Sequence, residues 1–318
     1  YCYYVQAQGN TVTRTASSNK ACEIANLLTL PTFSYLKKAT VVDVRRVVVE
    51  CLVDTADNPD VSKYKLQRAF EKNGPFITVG AISYTGDPII TFNDFSARTD
   101  QYSYYYRVIT IDSCGNDVLI SNVGRTILLS GKPEFNLINE LVWNYYEEWL
   151  GDVSKYSLFR SVDGIWSPTP IVTVNNGILE YNDDVTELYK YPNYNGRFCY
   201  RIEAYEGAGN TYGFTDTSSS NIFCLVQEPH LFIPSAFTPG GKNPIFKPEF
   251  IYIDAKNYFF AVFNRWGQKV YETRIPGEGW NGLYNDKIAP EGTYVYTVRI
   301  FGTNGQEIEK SGSVTLLR

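Results

Sequence analysis

Methionine is missing from this sequence altogether, and histidine occurs once, at His230. The lack of Met, at position 1 as elsewhere, predicts a processed chain or the portion of a longer one. A Ser-His-Asp or Cys-His site would have to use His230, and such sites need a buried, oriented imidazole. His230 instead sits in "QEPHLFIP", a Pro-flanked connector. No CxxC pair is present, which argues against a zinc site. No glycine loop of the phosphate-cradling kind occurs. No apolar run reaches the roughly 18–20 residues of a membrane helix, and the opening "YCYYVQAQGN" has no basic n-region. A net charge of −5 without a basic stripe argues against a nucleic-acid surface. Almost no stretch has the 3.6-residue apolar period of a helix.

Two carboxylate clusters remain, Asp54-Asp57-Asp60 and Asp183-Asp184. Calcium binds clustered oxygens, but neither cluster matches the D-x-[DN]-x-[DN]-G loop, so they read as loop acids. Tyr105 and Tyr194 are candidates for stacking on sugar rings, although Tyr on a sheet face is more often packing. Without a cleft carrying paired acids, no enzyme is expected, no cofactor and no metal.

Strand formers are plentiful: there are 26 tyrosines, with abundant Val and Thr. The expected class is all-β. "VSKYKLQRAF" (61–70) recurs as "VSKYSLFRSV" (153–162), 92 residues later. "TFNDFS" (91–96) is echoed by "EYNDDV" (180–185), "YYYRVIT" (104–110) by "FCYRIEA" (198–204), and Ser121-Asn122 by Ser220-Asn221. The spacing is that of one β-sandwich. "YCYYVQA" at the start matches the third of these blocks again, and "SSNKACEI" (17–24) matches "SSSNIFCL" (218–225). Residues 1–30 therefore read as the last two strands of a truncated repeat. Two strands cannot bury a core alone, so the natural protein is expected to continue upstream. Strand alternation as in "RVVVECLVD" (46–54) puts Val47, Val49, Cys51 and Val53 on one face.

The six cysteines can be paired from strand faces. Cys2 and Cys199 share one repeat position, opposite to the core tyrosines, so each needs a partner on a neighbouring strand of its own sheet. Cys22 and Cys224 fit, which predicts Cys2–Cys22 and Cys199–Cys224. Cys51 and Cys114 remain and are expected to form a third bridge. Disulfides imply an oxidising compartment.

The aromatic-x-Tyr-Arg-Val/Ile blocks at 104–108 and 198–202 resemble the sixth strand of fibronectin type III domains, whose first aromatic occupies a tyrosine corner. Trp143 aligns with Cys51 and takes the place of that family's buried tryptophan. The resemblance covers 35–130 and 133–228 and implies tandem fibronectin III/Ig-like β-sandwiches.

After Pro229 the repeat stops. A strand over 258–264, a turn at Arg265-Trp266-Gly267-Gln268 and a returning strand over 269–273 are expected. Trp280 should pack over the sheet, and Asn304-Gly305 reads as a type I′ hairpin turn. Five ordered blocks, "IPSAFTPGGKNP", "FNRWGQKVYE" (263–272), "WNG" (280–282), "PEGTYVY" (290–296) and "GSVTLLR" (312–318), closely resemble the gliding-motility-associated C-terminal domain. This is the type B sorting domain of type IX secretion in Bacteroidetes. The first block has Gly240-Gly241-Lys242-Asn243 where the family has an acidic NGDG segment.

The resemblance implies a small antiparallel β-sandwich over 231–318 that directs a passenger across the outer membrane and onto the cell surface. It implies as partners the type IX translocon and a PorP/SprF-type outer-membrane barrel. Passengers with many such repeats resemble SprB-like gliding adhesins, which implies a surface polysaccharide ligand upstream. The alternatives are a secreted enzyme or carbohydrate-binding protein with its active part upstream, and a structural filament subunit. A strand that runs to the terminus offers its edge for pairing, and Trp and Arg are common anchors. The expected docking surface is therefore Arg265, Trp266 and Gly267 with Thr315, Leu316, Leu317 and Arg318.

Overall fold

A computed structural model of the chain describes residues 1–11, 14–23, 29–55, 59–190 and 195–318, with the backbone alone at 189 and 190. Among these residues there is no α-helix, only a 3-10 turn at Thr186–Lys190. Among the described residues no helix is long and apolar enough to cross a membrane. Everything else regular is β, and three cores form.

The first sandwich packs the sheet Ser34–Asp43, Arg46–Val53, Ile89–Asp94 on a second sheet built around Lys63–Ala69 and Tyr105–Ile111. The period-2 pattern explains the first sheet. Val47, Val49, Cys51 and Val53 are all at or below 2% exposure, while the residues between them are half-buried. They face Tyr64, Leu66, Tyr106 and Val108 of the other sheet. The second sandwich repeats this plan with Leu129–Glu134, Ile138–Trp143 and Glu180–Asp184 against Val153–Val162 and Arg197–Glu206. Its core already includes Ile127 and Leu129. It therefore begins inside the stretch assigned by sequence to the first repeat. Before Ser34 two short antiparallel pairs form, Cys2–Tyr3 with Ala21–Cys22 and Gln6–Gln8 with Thr15–Ser17, and all four strands are exposed.

The three echoed blocks meet in space. Arg68 and Tyr106 both donate to Asp94 Oδ2, at 2.6 and 2.9 Å. In the second sandwich Arg160 holds both oxygens of Asp183 at 2.8 Å, and Tyr200 donates to Oδ2 at 2.7 Å. The fourth echo is a clip. Asn122 accepts from Leu36 N (2.7 Å) and donates to Leu36 O (3.2 Å), and Asn221 does the same with Leu129 N and O at 2.7 and 3.0 Å. The serine before each asparagine accepts a backbone N–H of the adjacent strand, from Val108 and from Ile202. A tyrosine corner forms at Tyr104, whose hydroxyl accepts from Arg98 N at 3.1 Å. Its counterpart Phe198 has no hydroxyl and serves as core. Trp143 is buried in the second core against Tyr156.

Cys2 pairs with Cys22 and Cys199 with Cys224, each directly opposite its partner on a neighbouring strand. The third bridge does not form: Cys51 and Cys114 are free. Cys51 points inward from the middle strand of its sheet and is fully buried, with its sulfur 3.4 Å from Ser34 Oγ. Cys114 lies in the exposed turn that Asp112 organises beyond the edge of the opposite sheet.

In the last domain a five-stranded sheet runs Ala236–Phe237, Glu307–Leu316, Gly292–Gly302, Ile253–Phe263, Lys269–Thr273. His230–Phe232 and Glu249–Ile251 form the facing layer. Trp280 is fully buried between Phe237 and Tyr294, and its indole N–H donates to Leu283 O at 2.7 Å. The turn at 304–305 departs from type I′. Only Gly305 has positive φ, at 85°, while Asn304 does not. Gly305 N bonds Gly302 O and Gly302 N bonds Gln306 O, the pattern of a longer loop with a left-handed glycine before the bulge.

Candidate docking surface

The hairpin tip "NRWGQ" is built by Asn264. Its Oδ1 accepts from Trp266 N and Gln268 N at 3.0 Å each, and Gly267 takes the left-handed φ of 77° that closes the turn. A side chain-to-backbone bond of this kind fixes a turn without help from the core. Trp266 is thereby left outside, 75% exposed, with the Arg265 guanidinium 4.6 Å over its ring. A cleft of about 530 Å³ opens beside it, lined by Arg265, Trp266, Tyr284, Lys287, Pro290 and Tyr294 among others. Gln268 donates to the Tyr284 hydroxyl at 2.7 Å, tying the tip to the far wall. The Tyr294 hydroxyl donates to Pro290 O at 2.8 Å. Burial pushes the Tyr294 phenol up, against the opposing pull of Arg265 and Arg318, which both lie near it.

Arg318 donates to Ala289 O at 2.6 Å, so the chain terminus is anchored at the rim of the same cleft. The structure thus gathers Arg265, Trp266, Gly267 and Arg318 at one end of the domain. It does not do so for the rest of the expected set. Leu316 is fully buried in the core beside Phe237. The edge at Thr315 is already taken, because Thr315 N bonds Ser235 O and Leu317 N bonds Phe237 O. The correction has a simple cause. A parallel strand, Ala236–Phe237, covers the last residues of the terminal strand, and sequence alone does not reveal strand order. Leu317 is half-exposed just beyond it. Tyr284, Lys287 and Tyr294 were not expected at the site. Their signal was the proximity of the "WNG" and "PEGTYVY" blocks.

The other candidates are engaged elsewhere. Asp54 accepts from Thr32, Asp60 from Ser113 N and Asp184 from Thr186. Asp183 is locked in its triad. Asp57 and Tyr194 lie outside the described residues. Among the described residues no three His, Cys, Asp or Glu side chains gather as metal ligands. Tyr105 lies under the Arg125 guanidinium at 5.0 Å. The His230 ring packs tilted against Phe135 at 4.5 Å, and burial lowers its pKa.

Fold and site together define an all-β chain of tandem sandwiches closed by a small sandwich with an exposed Arg-Trp tip. Residues 231–316 match the CHU_C Type IX secretion signal domain. The chain therefore carries the signal of a secreted, extracellular or cell-surface protein. No curated protein sequence matches it. Among solved structures it is similar to the FN1–FN3 domains of chicken CNTN1, at 12% identity over 91% of this chain and 99% of that one, with a TM-score of 0.24. It is also similar to a tetra-tandem repeat in the extending region of a large adhesion protein, at 11% identity over 89% of this chain and 73% of that one, with a TM-score of 0.29.

Proposed function

We propose that this chain is the C-terminal region of a large cell-surface adhesin. The two complete sandwiches act as a stalk, and the last domain is read by the type IX translocon and by a PorP/SprF-type outer-membrane barrel that holds the protein at the surface. The observation that carries the reading is the secretion-signal match over 231–316. The exposed Arg265-Trp266 tip over its cleft supports it, because large aromatic and Arg side chains in desolvating pockets dominate binding energy. The stalk role is supported by the bonded junction between the sandwiches, described below. The proposal assigns the chain no catalysis; Asp54, Asp60, Asp183 and Asp184 each accept local hydrogen bonds. A surface polysaccharide would be bound by regions upstream.

The test is export of the full chain, with Trp266→Ala and Arg265→Ala, in a bacterium with a type IX system. Truncating an anchor costs about 2 kcal/mol, or about thirtyfold in affinity. Surface display should therefore fall sharply while the thermal transition of the purified variant stays in place. Unchanged display would remove the cleft from the mechanism. Failure of the unsubstituted chain to leave the cell would remove the sorting role.

A further inference from the structure

The terminal strand Glu307–Leu316 is covered on its outer side only near its end, by Ala236–Phe237. Thr315 N and Leu317 N point outward to make those bonds. Backbone groups two residues apart point the same way, so the N–H and C=O of Glu309, Ser311 and Ser313 also point outward. Nothing among the described residues pairs with them. The covering chain stops because it changes layers at Ile233-Pro234: His230–Phe232 pairs with Glu249–Ile251 of the other sheet, and Pro has no N–H to give a ladder.

Beside this bare edge lies a groove of about 760 Å³ between the two layers, walled on its third side by the second sandwich. Its lining is mostly apolar. Phe135 and Phe232 are 73% and 66% exposed, and Phe250 and Ile308 line the groove with them. Two charges sit on the rim. Glu249 is engaged by Lys247 at 3.1 Å, and Lys310 has no ion partner among the described residues.

We propose that this edge and groove bind an extended segment of another protein as an added β-strand, apolar at alternate positions and with a carboxylate opposite Lys310. A row of outward amides at two-residue spacing is matched by extended backbone. The new strand would be collinear with Ala236–Phe237, continuing a pairing the domain already makes. It would cover about 20 Å of edge and send every second side chain into the groove. Lys310 sets the selectivity. An inward-pointing charge on an open edge repels apolar strands. In a symmetric antiparallel pairing of two copies about Ser311, both Lys310 ammonium groups would fall on the same face, which disfavours self-association. The surface is separate from the Arg265–Trp266 cleft, so this inference does not depend on the role given to that cleft.

The probe is a short synthetic peptide of alternating Val and Thr with a central Asp, titrated into the full chain. Amide exchange should slow at Glu309, Ser311 and Ser313. A peptide with Lys at the centre should bind about tenfold more weakly, the effect of a like charge placed opposite Lys310. Ser311→Pro removes an outward donor and none of the backbone bonds to Gly292–Gly302, losing on that side only the Ser311 hydroxyl's bond to Thr297 Oγ1 at 3.1 Å, and Pro is tolerated on the open side of an edge strand; it should weaken binding at least about tenfold. Lys310→Glu should reverse the preference between the two peptides, and this holds even if Ser311→Pro disturbs the fold. The proposal is overturned by absence of binding at millimolar peptide, by protection confined to the Arg265–Trp266 cleft, or by a Lys310→Glu variant that keeps the original preference. A concentration-dependent dimer that protects 309–313 would replace the partner with a second copy.

Discussion

Asp94 and Asp183 are buried carboxylates, each compensated by one arginine and one tyrosine from the two other echoed blocks. Arg68 and Asp94 are 11% and 1% exposed as side chains, and Arg160 and Asp183 are 20% and 6%. Removing one partner of a buried pair leaves an uncompensated charge and costs about 3–5 kcal/mol. Asp94→Asn should therefore destabilise the first sandwich by about 3 kcal/mol, read as a lower denaturation midpoint, and Asp183→Asn should do the same in the second. Asp183 reads as a loop acid in the sequence because its partner Arg160 is 23 positions away. Cys51 was misread for a related reason. Its place opposite Trp143 in the repeat alignment says core, and burial pushes its thiol up to about 12. A thiolate is the reactive form, so alkylation of the native protein should modify Cys114 alone, and both free cysteines only after unfolding. A second label on the folded chain would contradict this placement.

Each sandwich also depends on elements that clasp one strand to another. The Asn221 side chain is 3% exposed and satisfies both backbone groups of Leu129. Asn221→Ala orphans an N–H and a C=O at once and should cost about 2 kcal/mol, at about 1 kcal/mol per hydrogen bond. The Cys199–Cys224 bridge closes a loop of 25 residues. Replacing both with Ser should cost about 3 kcal/mol by the loop-entropy argument, measured as loss of stability under non-reducing conditions. The clip and the bridge were legible as repeated pairs and shared strand faces. The closure of the terminal strand by Ala236–Phe237 was not, because a parallel contact between segments about eighty residues apart leaves no periodic trace.

The described parts of the molecule beyond residue 34 are bonded end to end. Between the sandwiches Trp149 Nε1 donates to Lys37 O (2.8 Å), Tyr146 accepts from Ala39 N (3.0 Å), and Tyr35 stacks on Tyr212 at 5.1 Å. Lys37 reaches Asp216 at 2.9 Å and Glu50 at 3.2 Å, and Lys38 reaches Glu50 at 3.0 Å. Burial alone would raise the Glu50 carboxyl, but Lys38 and Lys37 outweigh it and hold it below its ordinary 4.5. Burial alone would lower Lys37, but Asp216 and Glu50 outweigh it and raise it above 10.5. The sign follows from linkage. The Glu50 contribution is present above pH 4.5 and lost as pH falls through its depressed value. The Lys37 contribution is present below pH 10.5 and lost as pH rises through its raised value. Junction stability should thus be flat at neutral pH and fall at both ends, and Glu50→Gln should flatten the acid limb in urea titrations. At the second junction Tyr252 enters the core of the second sandwich against Phe198, and a Cβ at Gly196 would approach its ring to 2.7 Å. Tyr252→Ala removes about 2–4 kcal/mol of packing. It should split one calorimetric transition into two as the last domain uncouples.

The sequence by itself determined the all-β class, the repeated sandwich plan, the two cross-strand disulfides and the exposed Arg-Trp tip. These are local or periodic: alternation sets a strand face, a repeat sets a strand's place, and an Asx turn sets a hairpin end. Only the tertiary structure decided that Leu316 is core, that the terminal strand is covered at its end but bare over 309–313, that Cys51 and Cys114 cannot meet, and that the acids pair with distant arginines. Those facts depend on which segments become neighbours across sheets and domains, and side-chain packing chooses those neighbours without marking them along the chain.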